Sequence, residues 1–148
     1  MSPSTLLRTL MKMSKSETTV QLCLMQVSCQ EPIWEIIIWY QAAIIGATPQ
    51  DFQFKGDETF VEIGNDNVIR EKAIINRATF KGNSTTVGNG NFILEGVHVA
   101  HDTQIGNFCI LGNGTKTAGN CTLDDKAILG SGVILKHGCH VGGWTLVR

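Results

Sequence analysis

Two histidine pairs and the acidic residue beside one of them are the most chemically suggestive side chains of the sequence. His98 and His101 are three residues apart, Asp102 follows His101, and His137 and His140 repeat the spacing. A neutral imidazole accepts a proton or ligates a metal ion near neutral pH, so a general base and a metal site are both open. A histidine taken alone is more often a solvated or capping residue, so the surrounding motif must decide.

An internal repeat of six residues must position these side chains. A helix with 3.6 residues per turn cannot keep a period of six, and simple strand alternation does not require small residues at one phase. The repeat predicts a β-helix in which three hexapeptides form one coil of a triangular prism. One position of the hexapeptide, the aliphatic phase, points into the prism and is aliphatic except at Thr117. Its residues are Ile63, Ile69, Ile75, Val87, Ile93, Val99, Ile105, Leu111, Thr117, Leu123, Leu129, Leu135 and Val141.

Two further features complete the predicted coil. A small or compact residue two positions before each aliphatic residue also points inward, and Gly or Asn supplies the positive φ needed near the corners. Asn89-Gly90 and Asn113-Gly114 suit such corners. The segment 81–85 interrupts the pattern while keeping its phase, and it is predicted to bulge from one corner as a loop.

Composition narrows the class of protein. The 148 residues carry a net charge of −1, with 43% hydrophobic and 17% charged residues, so one folded domain is expected and nucleic acid is a poor partner. The sequence shows no clean signal peptide, and the apolar stretch 33–46 is short for a stable membrane span. Five cysteines without a CxxC motif favour free thiols in a reducing compartment, and we expect a cytoplasmic protein.

Several motifs in order resemble one enzyme family. They are Pro49-Gln50-Asp51-Phe52, Phe54-Lys55-Gly56, Val61-Glu62-Ile63-Gly64, Ile69-Arg70-Glu71, Ile75-Asn76-Arg77 and His98-Val99-Ala100-His101-Asp102. From about Ile44 to Val147 the chain resembles the acyl-carrier-protein-dependent UDP-N-acetylglucosamine O-acyltransferases, which begin lipid A synthesis. The resemblance implies a left-handed parallel β-helix, a homotrimer with sites between neighbouring prisms, and no cofactor. It also implies transfer of a 3-hydroxyacyl chain from acyl carrier protein to the sugar 3-hydroxyl.

The resemblance assigns roles to individual residues. His101 matches the general base, Asp102 the group that holds its tautomer, and Gly119 the glycine whose amide polarises the thioester carbonyl. A corner position would have to bring His101 and Asp102 together, because adjacent strand residues point to opposite faces. The substrate-binding positions are Gln50, Asp51, His98 and His137. A turn role remains open for Gln50 and Asp51, a packing role for His98, and a role in corner geometry for Gly119.

Some positions depart from the family pattern. Asn120 stands where the family usually has His, Lys136-His137 replaces a His-Gln pair, and Gln53 stands where Lys is frequent. These departures concern the contacts to the acyl donor and the nucleotide rather than the base. The family also has coils before the Gln50-Asp51 block, and further coils and a helical domain after the region ending at Arg148. The sequence therefore predicts an incomplete β-helix domain over residues 45–148.

Residues 1–44 match neither the family nor the repeat. When each codon is read from the third base of the existing codon, residues 11–19 and 33–38 are replaced by hexapeptide-like sequences. Tryptophan has a single codon, so the shifted frame must encode Gly after Trp34. This segment is therefore interpreted as a frameshift product, poorly ordered or helical. The alternative is a true extension with a helix around Ile33 to Ala43.

Two other functions remain open from the sequence. A metal-binding β-helix of the γ-carbonic-anhydrase type would use His98, His101, His137 and His140, although their spacing differs from the usual HxxxxH. The other alternative is a fragment with the same ancestry and no catalytic activity.

Overall fold

The computed structural model describes three strand segments near the N-terminus and the continuous stretch 43–148, whose side chains are also described. Those residues contain eighteen strands, and they include no helix long and apolar enough to cross a membrane. The strands are β1 (Val20–Leu22), β2 (Met25–Ser28), β3 (Ile36–Ile38), β4 (Ala43–Ala47), β5 (Phe60–Ile63), β6 (Asn67–Ile69), β7 (Ile74–Asn76), β8 (Ser84–Val87), β9 (Phe92–Ile93), β10 (His98–Val99), β11 (Gln104–Ile105), β12 (Ile110–Leu111), β13 (Lys116–Thr117), β14 (Thr122–Leu123), β15 (Ile128–Leu129), β16 (Ile134–Leu135), β17 (His140–Val141) and β18 (Leu146–Val147).

The strands form three six-stranded sheets that the chain visits in turn. The first sheet has the order β1-β6-β9-β12-β15-β18, the second β2-β5-β8-β11-β14-β17 and the third β3-β4-β7-β10-β13-β16. The pairings among strands β4 to β18 are all parallel, and in the regular coils Ile110 pairs with Ile128, eighteen residues further on. Three strands therefore make one coil, as the hexapeptide period predicts.

The interior of the prism is filled by the predicted positions. All thirteen residues of the aliphatic phase are buried, from Ile63 to Val141, and the small residues between Val97 and Ala127 are buried with them. Thr117 keeps its hydroxyl satisfied because Oγ1 accepts a hydrogen bond from the Ala100 amide at 2.8 Å. The one polar residue of the phase therefore fits the core without an orphaned group.

Three cysteines lie in the described part of the prism wall. Cys109 and Cys121 are buried free thiols, and Cys139 is a partly buried one. Burial raises the pKa of the Cys109 and Cys121 thiols. They therefore act as small, unreactive core side chains, as predicted.

The described strands of the N-terminal segment cover the start of the prism. β1, β2 and β3 pair antiparallel with β6, β5 and β4, so the chain crosses the three sheets once in reverse before the parallel coils begin. The helix predicted around Ile33 to Ala43 is wrong where this stretch is described, since Ile36–Ile38 is a strand. Consecutive β-branched residues suit a strand, and the open sheet edges offer unpaired backbone groups. The remaining residues before 43 lie outside the described part, and the domain boundary at 44/45 stays a prediction.

The predicted loop 81–85 is shorter than expected. Ser84 and Thr85 belong to β8, which pairs with β5 through Phe60↔Ser84 and Val61↔Thr85. Thr85 is fully buried, so its side chain completes the core where the sequence suggested a bulge. The turn lies at Lys81 and Gly82, within the exposed stretch 80–83.

The buried phase yields a test of the fold. Leu123→Asp should destabilise the protein by several kcal/mol, because it places an unpaired charge in the prism interior. Thr122→Asp is the matched control, since its side chain lies on the outer face of the same strand. Thermal unfolding should show a large loss for Leu123→Asp and a small one for Thr122→Asp. Equal melting temperatures for the two variants would contradict the predicted orientation of β14.

Candidate functional site

The candidate base and its acidic partner meet at the corner that follows β10. His101 is 7% exposed, and its Nδ1 lies 2.9 Å from Asp102 Oδ2. Asp102 has φ of 56°, in the left-handed region, so the chain turns between the two residues. This turn brings adjacent side chains to the same side, which an extended strand does not allow.

Two residues from the preceding coils close around this pair. Thr79 is buried, and its Oγ1 lies 2.9 Å from His101 Nδ1 while its amide N–H donates to Asp102 Oδ2 at 3.0 Å. The Thr79 hydroxyl also donates to Asp51 Oδ2 at 3.4 Å. Asp51 Oδ2 is 3.8 Å from His101 Nε2. The structure thus places Asp51, which lies in the loop after β4, beside the predicted base.

The hydrogen bonds define which nitrogen of His101 is free to react. The Asp102 carboxylate is an acceptor when ionised, so His101 Nδ1 carries the hydrogen and Nε2 carries the lone pair. On the Nε2 side lies Gly119, where an added Cβ would stand 2.5 Å from that nitrogen. Gly119 has φ of 94°, a conformation that also favours glycine. Glycine at this position therefore leaves room at the reactive nitrogen.

His137 lies at the same corner of the prism as His101, two coils further along the chain. The two ring centroids are 6.3 Å apart. Asn120 Nδ2 lies 3.4 Å from His137 Nε2, and His137 Nδ1 lies 3.4 Å from the Ala118 carbonyl. The exposed His137, for which the sequence predicted a substrate contact, therefore lies near the predicted base His101. Asn120 contacts His137.

His98 is the second histidine of the site, and it is held from the coil of β7. Its Nε2 lies 2.5 Å from Asn76 Oδ1. Desolvation by burial, followed by electrostatic interactions with Lys116 and His101, lowers the pKa of His98. His98 is therefore a neutral, half-buried side chain at pH 7.

The remaining predicted residues lie at the edge of the site or away from it. Gln50 and Gln53 are exposed in the loop that holds Asp51, and Lys136 is exposed beside His137. His140 Nε2 lies 3.0 Å from Asp124 Oδ2 on a different face of the prism. In the stretch 43–148 no three His, Cys, Asp or Glu side chains gather as a metal site, so the four histidines do not form the metal-binding set considered above.

Sequence reasoning missed two residues that hold the site together, Thr79 and Asn76. Thr79 follows Ile75 by four positions, the phase that elsewhere supplies compact core residues. Asn76 is in the position directly after the aliphatic residue, where small residues are usual. Their place in the repeat predicted packing, and only the stacking of the coils shows that their polar atoms face His101 and His98.

Fold and site together define a class: a hexapeptide-repeat β-helix with a histidine–aspartate pair at one corner. The family model described as "Bacterial transferase hexapeptide (six repeats)" matches residues 84–119. This model and the solved structures below establish the predicted left-handed parallel β-helix.

Within that class the comparisons point to one family. The acyl-[acyl-carrier-protein]–UDP-N-acetylglucosamine O-acyltransferases of Synechocystis and Pseudomonas fluorescens Pf0-1 are 41% and 43% identical over 109 and 104 residues. Those matches cover 73% and 70% of this chain, but 39% and 40% of the relatives. The β-helical part of the chain is therefore homologous to these acyltransferases, and the chain spans about 40% of their length.

Solved structures support the same relationship. The UDP-N-acetylglucosamine acyltransferase from Bacteroides fragilis is 50% identical with a TM-score of 0.68, over 72% of this chain and 42% of that one. The Francisella novicida enzyme is 43% identical with a TM-score of 0.65, over 71% and 41% respectively. The similarity thus holds in three dimensions as well as in sequence.

The contact between Gly119 and His101 gives a test of the site geometry. Gly119→Ala should displace the His101 ring, because the ring is buried and held at Nδ1 while the new Cβ would lie 2.5 Å from Nε2. The displacement should appear as changed ring resonances of His101 by NMR. Gly132→Ala is the matched control, since Gly132 has φ of 74° with no atom within 4 Å of an added Cβ. Both variants should lose about 1–2 kcal/mol of stability from the backbone conformation. Unchanged His101 resonances in Gly119→Ala would show that the two residues do not touch.

Proposed function

We propose that this protein transfers a 3-hydroxyacyl chain from acyl carrier protein to the 3-hydroxyl of UDP-N-acetylglucosamine, the first step of lipid A synthesis. The observation that carries the proposal is His101 Nε2, which has a free lone pair while Nδ1 is held by Asp102 at 2.9 Å. The names of the homologous enzymes support the choice of acyl carrier protein and UDP-N-acetylglucosamine as substrates.

The proposed chemistry uses the site as follows. His101 Nε2 removes the proton of the sugar hydroxyl as its oxygen attacks the thioester carbonyl, and Asp102 with Asp51 stabilises the imidazolium that forms. The Gly119 amide donates to the oxygen that becomes negative. The carbon–sulfur bond then breaks, and His101 gives its proton to the leaving thiolate of acyl carrier protein, which becomes a free thiol. The thioester is already activated, so this step requires no cofactor or metal.

Substrate contacts follow from the positions around the base. Asp51, Gln50, His98 and His137 would hold the sugar nucleotide and the acyl donor, since Asp51 and His137 border the His101 ring and Gln50 lies exposed beside Asp51. The free thiols of Cys109 and Cys121 are in keeping with a reducing cytoplasm as the site of the reaction.

The role of His101 has a direct kinetic test. With 3-hydroxyacyl-acyl carrier protein and UDP-N-acetylglucosamine, the wild-type chain should release free carrier thiol and form the O-acylated sugar nucleotide. His101→Ala should lower kcat by about 10²–10⁴-fold, the usual contribution of a positioned base, with a smaller change in the KM of the sugar nucleotide.

Two controls separate the base from its neighbours. His140→Ala should keep activity, since His140 pairs with Asp124 away from the site. His137→Ala should reduce activity less than His101→Ala. If His101→Ala keeps near-normal kcat while His137→Ala or His98→Ala loses it, the base is misassigned. A wild-type chain without turnover would contradict the proposed function itself.

We also propose that the functional unit is a homotrimer in which copies of the chain pack through the first sheet. On the outer face of that sheet, apolar side chains at paired positions of neighbouring strands form a continuous row. Within this row Phe92, Ile110 and Leu146 are 49%, 38% and 48% exposed. The second sheet carries polar side chains at the same positions, including Gln104 and His140. Contiguous apolar rows are uncommon on the surface of monomers, so a second copy is the fitting occupant.

Light scattering measures this assembly. The wild-type chain should have the mass of a trimer, and Ile110→Asp should dissociate it because charges then face the apolar row of the next copy. Gln104→Asp places the same charge on the polar sheet and should leave the mass unchanged. A wild-type monomer, or dissociation by Gln104→Asp alone, would contradict an interface through the first sheet.

A further inference from the structure

Asn76 joins the loop before the site to the second histidine. Its side chain is 1% exposed. Asn76 Nδ2 donates to the Thr48 carbonyl at 2.8 Å and lies 3.4 Å from the Ala47 carbonyl. Asn76 Oδ1 lies 2.5 Å from His98 Nε2.

These contacts fix the orientation of the amide and, through it, the tautomer of His98. Backbone carbonyls only accept hydrogen bonds, so the NH₂ end of Asn76 must face Ala47 and Thr48, and Oδ1 must face His98. Amide oxygen also only accepts, so His98 Nε2 carries a hydrogen. When His98 is neutral, its lone pair is therefore on Nδ1.

The surroundings keep His98 neutral. On one side its strand pairs with β7 at Ile74, which is uncharged, and on the other with β13 at Lys116. The other group whose electrostatic interaction affects the pKa of His98 is His101, at the corner of the same coil. Burial, Lys116 and His101 all lower the pKa of His98, and no acidic group contributes to its shift. The amide of Asn76 binds the ring without adding a negative charge that would favour the imidazolium.

We propose that Asn76 is a positioning residue that holds His98 with its hydrogen on Nε2 and its lone pair on Nδ1, as the acceptor for an O–H or N–H group of the sugar substrate. His101 has the opposite tautomer, with its hydrogen on Nδ1 and its lone pair on Nε2. The site thus presents two neutral imidazole acceptors, each directed by the partner of its other nitrogen. The tautomer of His98 stands on the geometry alone, and the substrate contact rests on the proposed function.

Nitrogen-15 NMR of the histidine rings tests the tautomer without any substrate. In the full chain at pH 7.5, with signals assigned by single His→Gln variants, His98 should be neutral with a protonated Nε2 and an unprotonated Nδ1. Asn76→Asp should raise the pKa of His98, because a carboxylate replaces a neutral acceptor. Asn76→Ala should remove the protection of the Nε2 hydrogen from exchange with water. A wild-type His98 that is protonated at this pH, or carries its hydrogen on Nδ1, would overturn the proposal.

A matched control separates positioning from loss of packing. Asn91 is also buried, and its side chain bonds to Asn67 and to the Cys109 amide without touching a histidine. Asn91→Ala should destabilise the chain and leave the His98 signals unchanged. If Asn91→Ala changes them as Asn76→Ala does, the effect comes from the fold and the proposal fails.

Kinetics decide the substrate contact. Asn76→Ala should raise the KM of UDP-N-acetylglucosamine about 3–10-fold, the value of roughly one hydrogen bond, with a smaller change in kcat. An unchanged KM would overturn the contact between His98 and the sugar. A wild-type chain without turnover would overturn the proposed function instead, because the NMR result is obtained without substrates.

Discussion

The parallel stacking of coils is the constraint on which the rest of the structure depends. In the regular coils each side chain has its lateral neighbours eighteen residues away, so a corner column collects residues that are far apart in the chain. His101, Gly119 and His137 form one such column. The backbones of His101 and His137 are two coils apart, and each coil spacing is about 4.8 Å, yet the two ring centroids are only 6.3 Å apart. The rings can approach because Gly119, which lies between them, has no side chain.

The irregular first coils supply what the repeat cannot. Ile44 pairs with Ile74, thirty residues further on, because the loop after β4 adds residues to this coil. Within that loop Asp51 turns the chain, since its Oδ1 accepts from the Gln53 amide at 2.9 Å and its carbonyl accepts from the Phe54 amide at 3.1 Å. The other oxygen of Asp51 is left to face Thr79 and His101. The loop that interrupts the six-residue period therefore brings the Asp51 carboxylate to His101, whose own position is determined by the period.

Hydrogen bonding explains how two histidines side by side can both remain acceptors. Buried polar groups need partners, and each ring satisfies one nitrogen within the protein. His101 uses Asp102 and Thr79, and His98 uses Asn76. Because one partner is a carboxylate and the other an amide oxygen, both inner nitrogens carry hydrogen, and both outer nitrogens carry a lone pair. The choice of partner thus defines the chemistry of the outer nitrogen.

The sequence by itself determined the coil and its interior. A strict period of six excludes a helix, and it identified the thirteen buried positions from Ile63 to Val141 because each inward side chain has to fill the same narrow prism. The motif around His101 also indicated the base and its partner. Only the tertiary structure decided that Thr79 and Asn76 belong to the site, that Gly119 opens space at His101 Nε2, and that the described strands before residue 43 run antiparallel. The physical reason is that periodicity reports which way a side chain points, whereas its hydrogen-bond partners lie on other coils at separations that vary with each loop.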